Sequence, residues 1–197
     1  MTIHLIRHGE VHNPHGFVYA DISGFSLSEK GRLQAKAAGD HLSSEPPQLI
    51  VTSPLDRAVE TAKIIAATTG ADITTDDRLS EWGLGVRWRG ALWTELPKAF
   101  PGELEAYLAD PANLPFSPES IAQVAKRIHQ SVDEFTADAS GPIAFVSHED
   151  PIHGTALRLT GEQPARFHAH KPTHCSITTL MPGTNQWSRA AYWEPKQ

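Results

Sequence analysis

The sequence predicts an α/β protein: a three-layer α/β/α sandwich on a mostly parallel central sheet, with a lid-like insertion. Three observations carry this. Short apolar runs bounded by turn residues recur at 3–6, 49–52 and 143–146, as in strands buried on both faces. Stretches with apolar residues at helical spacing alternate with them, and that alternation implies parallel strands covered by helices. Chemically capable polar residues follow directly after these runs, where open α/β sheets bind their ligands.

A chain of 197 residues fits one domain, 1–197, with 82–118 as an insertion or lid over the site. The lone Cys175 excludes an intrachain disulfide and points to a reducing, cytoplasmic setting. No apolar stretch approaches the roughly 20 residues that span a bilayer, and Arg7-His8 interrupts the first apolar run too early for a signal peptide. The expected partners therefore include no membrane. A net charge of −6 argues against nucleic acid, which needs an extended basic surface. A small anionic substrate remains compatible, because arginines can cluster locally.

In chain order, Ile3-His4-Leu5-Ile6 reads as the first strand, and Val11 to Gly24 as a long loop rich in Gly, Pro and Asn. Long loops inside compact domains are often functional. Ser28 is the expected N-cap of a helix running through Leu33, Ala37 and Leu42 to the break at Pro46-Pro47. Leu49 to Thr52 is a second strand. Ser53-Pro54-Leu55-Asp56 reads as a helix start with Ser53 at the N-cap, leading Leu55, Ala58, Val59, Ala62, Ile65 and Ala66 along one face to a stop at Gly70. A more polar third strand is expected over Ile73 to Leu79. From Ser80 to Pro118 the pattern dissolves into tryptophans, glycines, prolines and short helical pieces. A long amphipathic helix is expected to start at Ser117-Pro118-Glu119 and to carry Ile121, Val124, Ala125, Ile128, Val132 and Phe135. Ile143 to Val146 is the most apolar strand, followed by a helix near Ile152 to Leu159. His174 to Leu180 and Gln186 to Trp193 look like edge strands.

Four groups follow four predicted strands: Arg7-His8, Ser53 to Arg57, Ser80-Glu81, and Ser147-His148. If the sheet is parallel at its centre, these ends converge on one edge. An Arg-His pair there suits a phosphate, with the guanidinium as a forked clamp and the imidazole as a nucleophile. Arg57 sits in the first turn of its helix, where free N–H groups already favour an anion; the plainer reading is an exposed arginine paired with Asp56 or Glu60. His148 is either a donor to a phosphoryl oxygen or a hydrogen-bonded histidine at a strand end. Glu81, beside Trp82, is a general acid with a raised pKa or a solvated loop carboxylate. Glu10, Glu149 and Asp150 are rival acids. Trp82, Trp88 and Trp93 read as lid or core packing ahead of a ring-stacking platform.

Together these residues resemble the histidine phosphatase superfamily, the phosphoglycerate mutase-like fold, over most of the chain. The resemblance rests on Arg7-His8-Gly9-Glu10, the run Ser53 to Ala62, Leu79-Ser80-Glu81 leading to Gly85 and Trp88-Arg89-Gly90, and Val146-Ser147-His148. Leu27 to Gly31 with Gln34-Ala35 is similar to the family's first helix. It implies a histidine acid-type phosphatase, a phosphoric monoester hydrolase. His8 would take the phosphoryl group, Arg7, Arg57, His148 and Asn13 would hold it, and Glu81 would act as proton donor. It implies no cofactor and no metal, a small phosphorylated metabolite as substrate, and room for a homodimer.

Three departures matter. Glu149 follows His148 where many relatives carry glycine, Ala20-Asp21-Ile22-Ser23 stands where some carry Gly-Arg, and the segment after Trp88 lacks the Tyr and Lys-rich insertion of mutases. The last favours a phosphatase over a phosphoglycerate mutase-type phosphotransferase. A catalytically weak phosphate-binding relative is the nonenzymatic alternative, but nucleophile, clamp and acid are all present. A metal-dependent hydrolase would draw on His168-Ala169-His170 and His174, or His12 and His15; none has metal-ligand spacing.

Overall fold

The computed structural model describes residues 1–163, 167–184 and 186–196. Among the described residues, six strands form one sheet in the order β3-β2-β4-β1-β5-β6. These are β1 (Ile3–Arg7), β2 (Leu49–Thr52), β3 (Asp72–Thr75), β4 (Ile143–Ser147), β5 (Ile177–Pro182) and β6 (Trp187–Trp193). The pairs β2–β3, β2–β4 and β1–β4 are parallel, while β5 runs antiparallel to β1 and to β6. β5 is thus an interior strand, contrary to the sequence expectation; only β6 is an edge on that side. In the parallel half, Arg7 lies beside Ser147, and Thr52 lies beside Val146 and Thr75. That register brings the carboxyl ends of four strands into one row.

Side chains alternate across the sheet. Ile6, Ile50, Ala144 and Val146 face one core with Ala35, Ala38, Ala58, Ala62 and Ile65 of α1 (Glu29–Leu42) and α2 (Asp56–Thr69). Ile3, Leu5, Val51, Ile143 and Phe145 face the other, with Val132, Ile152, Ala156 and Leu159 of α6 (Ile121–Thr136) and α7 (Glu149–Thr160). Helices therefore cover both faces, and the three-layer sandwich is observed. The small residues of α1 let it approach α2 and the sheet closely, whereas Leu33 points outward at 65% exposure.

Boundaries shifted where local capping chemistry decided them. α2 begins at Asp56 with Leu55 at the N-cap, so Ser53 does not cap it. α6 begins at Ile121, because Ser120 and Gln123 form a reciprocal capping box while the Ser117 hydroxyl donates to the Glu119 carbonyl. β3 stops at Thr75, since the Asp76 carboxylate accepts the Arg78 backbone N–H and the Ser131 hydroxyl and opens a 3₁₀ turn at Asp77–Leu79. α7 starts at Glu149, directly after β4, with His148 as its N-cap. Segment 82–118 forms α3 (Gly83–Arg87), a 3₁₀ turn at Trp93–Glu95, α4 (Leu96–Ala99) and α5 (Glu103–Ala109). Trp82, Trp88 and Tyr107 anchor it in a third core with Val124, Ile128 and Leu157.

His4 is the polar exception inside β1. It is 5% exposed, its Nδ1 bonds the Thr179 hydroxyl at 3.1 Å, and burial, aided by His41, lowers its pKa to about 4. Between the ordinary value near 6.5 and 4, the unfolded chain binds a proton that the folded chain refuses. Stability present above that window is expected to fall by about 3 kcal/mol from this residue as pH drops through it, then level off. Urea midpoints measured from pH 7 to 4 check this, and His4→Val should flatten the slope.

Candidate active site

β1 ends at Arg7, and the chain leaves the sheet through His8 and Gly9. The His8 backbone N–H extends the β1–β4 ladder to Ser147 at 2.9 Å, which fixes the ring over the strand ends. His8 Nδ1 donates to its neighbour's carbonyl, Gly9 O, at 2.7 Å. The Nε2 lone pair therefore points into the site, where it accepts from Arg57 Nε at 3.2 Å. Burial first, then Arg57 and Arg7, holds the His8 pKa well below the ordinary histidine value. The imidazole is neutral, with its nucleophilic nitrogen inward. Gly9 is required by space: a Cβ there would stand 2.6 Å from the Gly31 carbonyl oxygen.

Arg57, the second residue of α2, is 1% exposed. Besides His8 it reaches the Ala20 carbonyl at 2.8 Å and His148 Nδ1 at 3.0 Å, and its guanidinium lies 4.8 Å from the centre of the Tyr19 ring. The exposed surface pair with Asp56 or Glu60 is not what forms. Glu60 instead binds Arg32 and the Leu27 backbone. His148 is fully buried, its ring centre 5.2 Å from that of His8. Since Nδ1 faces an arginine donor, Nε2 carries the proton and donates to the Ser53 hydroxyl at 2.9 Å. Burial and Arg57 keep its pKa well below the usual range. Ser53, expected from sequence to cap the helix, is instead the acceptor for the His148 Nε2 proton, in the tautomer that Arg57 sets.

Glu81 follows the 3₁₀ turn after β3. One oxygen accepts the Trp82 N–H at 2.8 Å, and the other lies 3.6 Å from both Arg57 Nη2 and His148 Nδ1. Burial raises its pKa, against the opposing pull of Arg57. Arg127 of α6 holds this loop by donating to the carbonyls of Arg78, Ser80 and Glu81 while paired with Glu119. Nothing local marks Arg127, which sits on the polar side of an ordinary amphipathic helix. The rival acids are each held by ion pairs or hydrogen bonds. Glu10 accepts from Ser28 at 2.8 Å and pairs with Lys30, which keeps its carboxyl below the usual range. Glu149 pairs with Arg7 and Lys171, and Asp150 with Lys171 and the Tyr107 hydroxyl.

Arg7 donates to the Pro172 carbonyl at 2.9 Å and approaches His174 Nε2 at 3.0 Å, while its buried Nε has no hydrogen-bond partner. His174, whose pKa burial and Arg7 lower to about 4, is thus part of the constellation. It arrives because β5 is antiparallel, so its start lies where the parallel strands end. His168 is elsewhere, bonded to the Tyr107 carbonyl at 2.8 Å. Among the described residues, no group of three or more His, Cys, Asp or Glu is arranged to hold a metal ion. Asn13 lines the same cavity, but both ends of its amide are engaged with the Phe17 backbone. It shapes the loop from where it stands.

The cavity over His8 has a volume of about 340 Å³ and is bordered by Arg7, Glu81, Trp88 and Glu149. Arg7 and the neutral His8 imidazole line it, buried Arg57 lies directly behind His8, and a carboxyl of raised pKa stands at one side. Such an arrangement can bind a dianion, attack it and supply a proton.

A model of the histidine phosphatase superfamily (branch 1) matches residues 3–194. The chain is 33% identical over 165 residues to a glucosyl-3-phosphoglycerate phosphatase of Mycolicibacterium vanbaalenii, covering 80% of this chain and 73% of that one. It is 33% identical over 150 residues to a 2,3-bisphosphoglycerate-dependent phosphoglycerate mutase of Thermoplasma acidophilum, covering 75% and 70%. The structure of a mycobacterial glucosyl-3-phosphoglycerate phosphatase in complex with VO3 superposes with a TM-score of 0.87 at 29% identity, covering 99% of each chain.

Proposed function

The chain belongs to the histidine phosphatase superfamily, and from that premise we propose that it is a metal-independent phosphomonoesterase working through a phosphohistidine. The observation that carries this reading is the His8 ring, neutral and pinned by Gly9 with Nε2 facing Arg57. In this proposal an arriving phosphate takes over the Arg57 N–H groups and the partnerless Arg7 Nε, which frees the His8 lone pair. His8 Nε2 then bonds to phosphorus in line as the P–O bond to the alcohol breaks. Glu81, whose carboxyl burial pushes above the ordinary range, gives its proton to the departing oxygen. A water attacks phosphorus next, the P–N bond breaks, and Glu81 takes the water's proton back. His148, accepting from Arg57 at Nδ1 and donating to Ser53 from Nε2, braces the Arg57 guanidinium from behind, and segment 82–118 serves as the roof within a single domain.

A small phosphorylated metabolite fits the cavity better than a polymer does. Arg32, Arg78, Arg87 and Arg89 each pair with a carboxylate, which leaves little for a phosphate backbone. No helix among the described residues is long and apolar enough to cross a membrane. A cytoplasmic location suits Cys175, buried and with its thiol pushed up to about 12. A homodimer is compatible with this arrangement.

The test is phosphate release in EDTA from an alkyl and an activated aryl monoester, by wild type and Glu81→Gln. Wild type should hydrolyse both with chelator present. Glu81→Gln should lose about 10²–10⁴-fold on the alkyl ester, which needs the proton, and far less on the aryl ester. Abolition of wild-type turnover by EDTA would overturn the reading, and equal losses on both esters would reassign the acid.

A further inference from the structure

The wall beyond the phosphate clamp bears on which alcohol leaves. A cavity of about 340 Å³ accommodates more than a phosphoryl group, so its outer part receives the alcohol. A carboxylate on that alcohol would need a cation, and the nearby cations are committed. Lys171 lies 2.6 Å from Asp150 and 3.2 Å from Glu149 and also donates to Tyr107. Arg87 and Arg89, on the roof segment, are bound by Glu103 and Asp21. Carboxylates outnumber cations along the wall: Glu81, Glu149 and Asp150 border the cavity, and among its described lining residues Arg7 is the one lysine or arginine. Once phosphate claims Arg7, its present ion-pair partner Glu149 shares Lys171 with Asp150, and the two carboxylates on one lysine present net negative charge to the alcohol.

The remaining surface is apolar. Trp82 and Trp88 are core residues at 2% exposure, but Trp93 is 48% exposed at the rim. It stands edge-on to Trp88 at 6.3 Å, and its backbone is tied to the Gly16 carbonyl at 3.0 Å. Among the described large apolar side chains left exposed, it is the one that borders this cavity. A held, half-exposed indole offers a face for stacking.

We infer that this site takes phosphomonoesters of uncharged alcohols bearing flat apolar bulk, that Glu149 turns away alcohols carrying a carboxylate, and that Trp93 receives the apolar part. The inference rests on the phosphomonoesterase reading and goes beyond it by naming the substrate class. Like-charge juxtaposition rejects the wrong ligand while the apolar face attracts the right one.

Three esters with alkoxide leaving groups test it by kcat/KM: 2-phenylethyl phosphate, glycerol 3-phosphate and 3-phosphoglycerate. The last two differ by a carboxylate in place of a hydroxymethyl group. Wild type should favour 2-phenylethyl phosphate over glycerol 3-phosphate, and that over 3-phosphoglycerate, each by roughly tenfold or more. Glu149→Gln should shrink the preference for glycerol 3-phosphate over 3-phosphoglycerate by about tenfold. Trp93→Ala should shrink the preference for 2-phenylethyl phosphate by about tenfold. The inference is overturned if wild type hydrolyses 3-phosphoglycerate as well as glycerol 3-phosphate, or if either substitution changes its two esters equally. Turnover of 3-phosphoglycerate above the others would defeat this inference alone. No turnover of any of the three would defeat the phosphomonoesterase reading with it.

Discussion

His8→Ala is expected to slow phosphate release from alkyl and aryl monoesters by at least about 10⁴-fold, the usual scale for removing a covalent nucleophile. That is roughly 5.5 kcal/mol of lost transition-state stabilisation. The fold should survive, because the substitution removes a buried ring that no core cluster depends on. His8 contacts are polar: Gly9 O, Arg57 Nε and the rings of His148 and His174. Its loss should also lessen acid sensitivity, since a buried imidazole that resists protonation weakens the folded state as pH falls below the ordinary histidine value. Near-normal turnover by a folded His8→Ala protein would discard the nucleophile assignment.

Arg57→Lys is the second large effect. The guanidinium reaches His8, Ala20 and His148 at once, from a position 1% exposed and close to Glu81. Lysine keeps the charge but offers a single donor point in place of the planar fork. A loss of about 10²–10³-fold in kcat/KM is expected, comparable with removing one oriented transition-state donor. The pH profile should also move. Arg57 is the main group that opposes the burial-driven rise of the Glu81 pKa, so a displaced charge should carry the Glu81 limb to higher pH. A loss below tenfold with an unmoved limb would mean that Arg57 only fills space.

The sheet was legible because its strands are short apolar runs, and parallel strands must place their carboxyl ends together. That rule alone brings Arg7, His8, Arg57, Glu81 and His148 to one edge of the sheet. The errors cluster where one side chain has two local uses. Ser53 has the position of a helix cap and precedes a proline, yet its hydroxyl is taken by His148, 95 positions away in sequence. Nothing in the residues around it could reveal a partner so distant. His174 was hidden by strand direction. A strand taken for an edge gives no reason for its first residues to approach β1, whereas an interior antiparallel strand puts Cys175 in hydrogen-bond contact with the Arg7 and His8 carbonyls at 3.0 and 3.3 Å. Arg127 illustrates a third kind of miss. Its side chain holds loop carbonyls, a role with no compositional signature.

The tryptophans show how burial separates roles that sequence leaves merged. Trp82 and Trp88 sink into the core, while Trp93, eleven and five positions further on, stays half-exposed at the cavity. Asn13, which the resemblance places on the phosphate, borders the cavity while its amide also closes the loop on the Phe17 backbone.

The most direct measurement is to trap the phosphoenzyme. Glu81→Gln protein should still be phosphorylated by an activated aryl phosphate, which needs no proton donor, and should release that phosphate slowly because no carboxylate takes the water's proton. Rapid acid-free quenching followed by peptide mass spectrometry should find one acid-labile phosphoryl group, on His8 Nε2. Phosphate on any other residue, or steady turnover with no phosphorylated His8 at any time after mixing, would contradict the account.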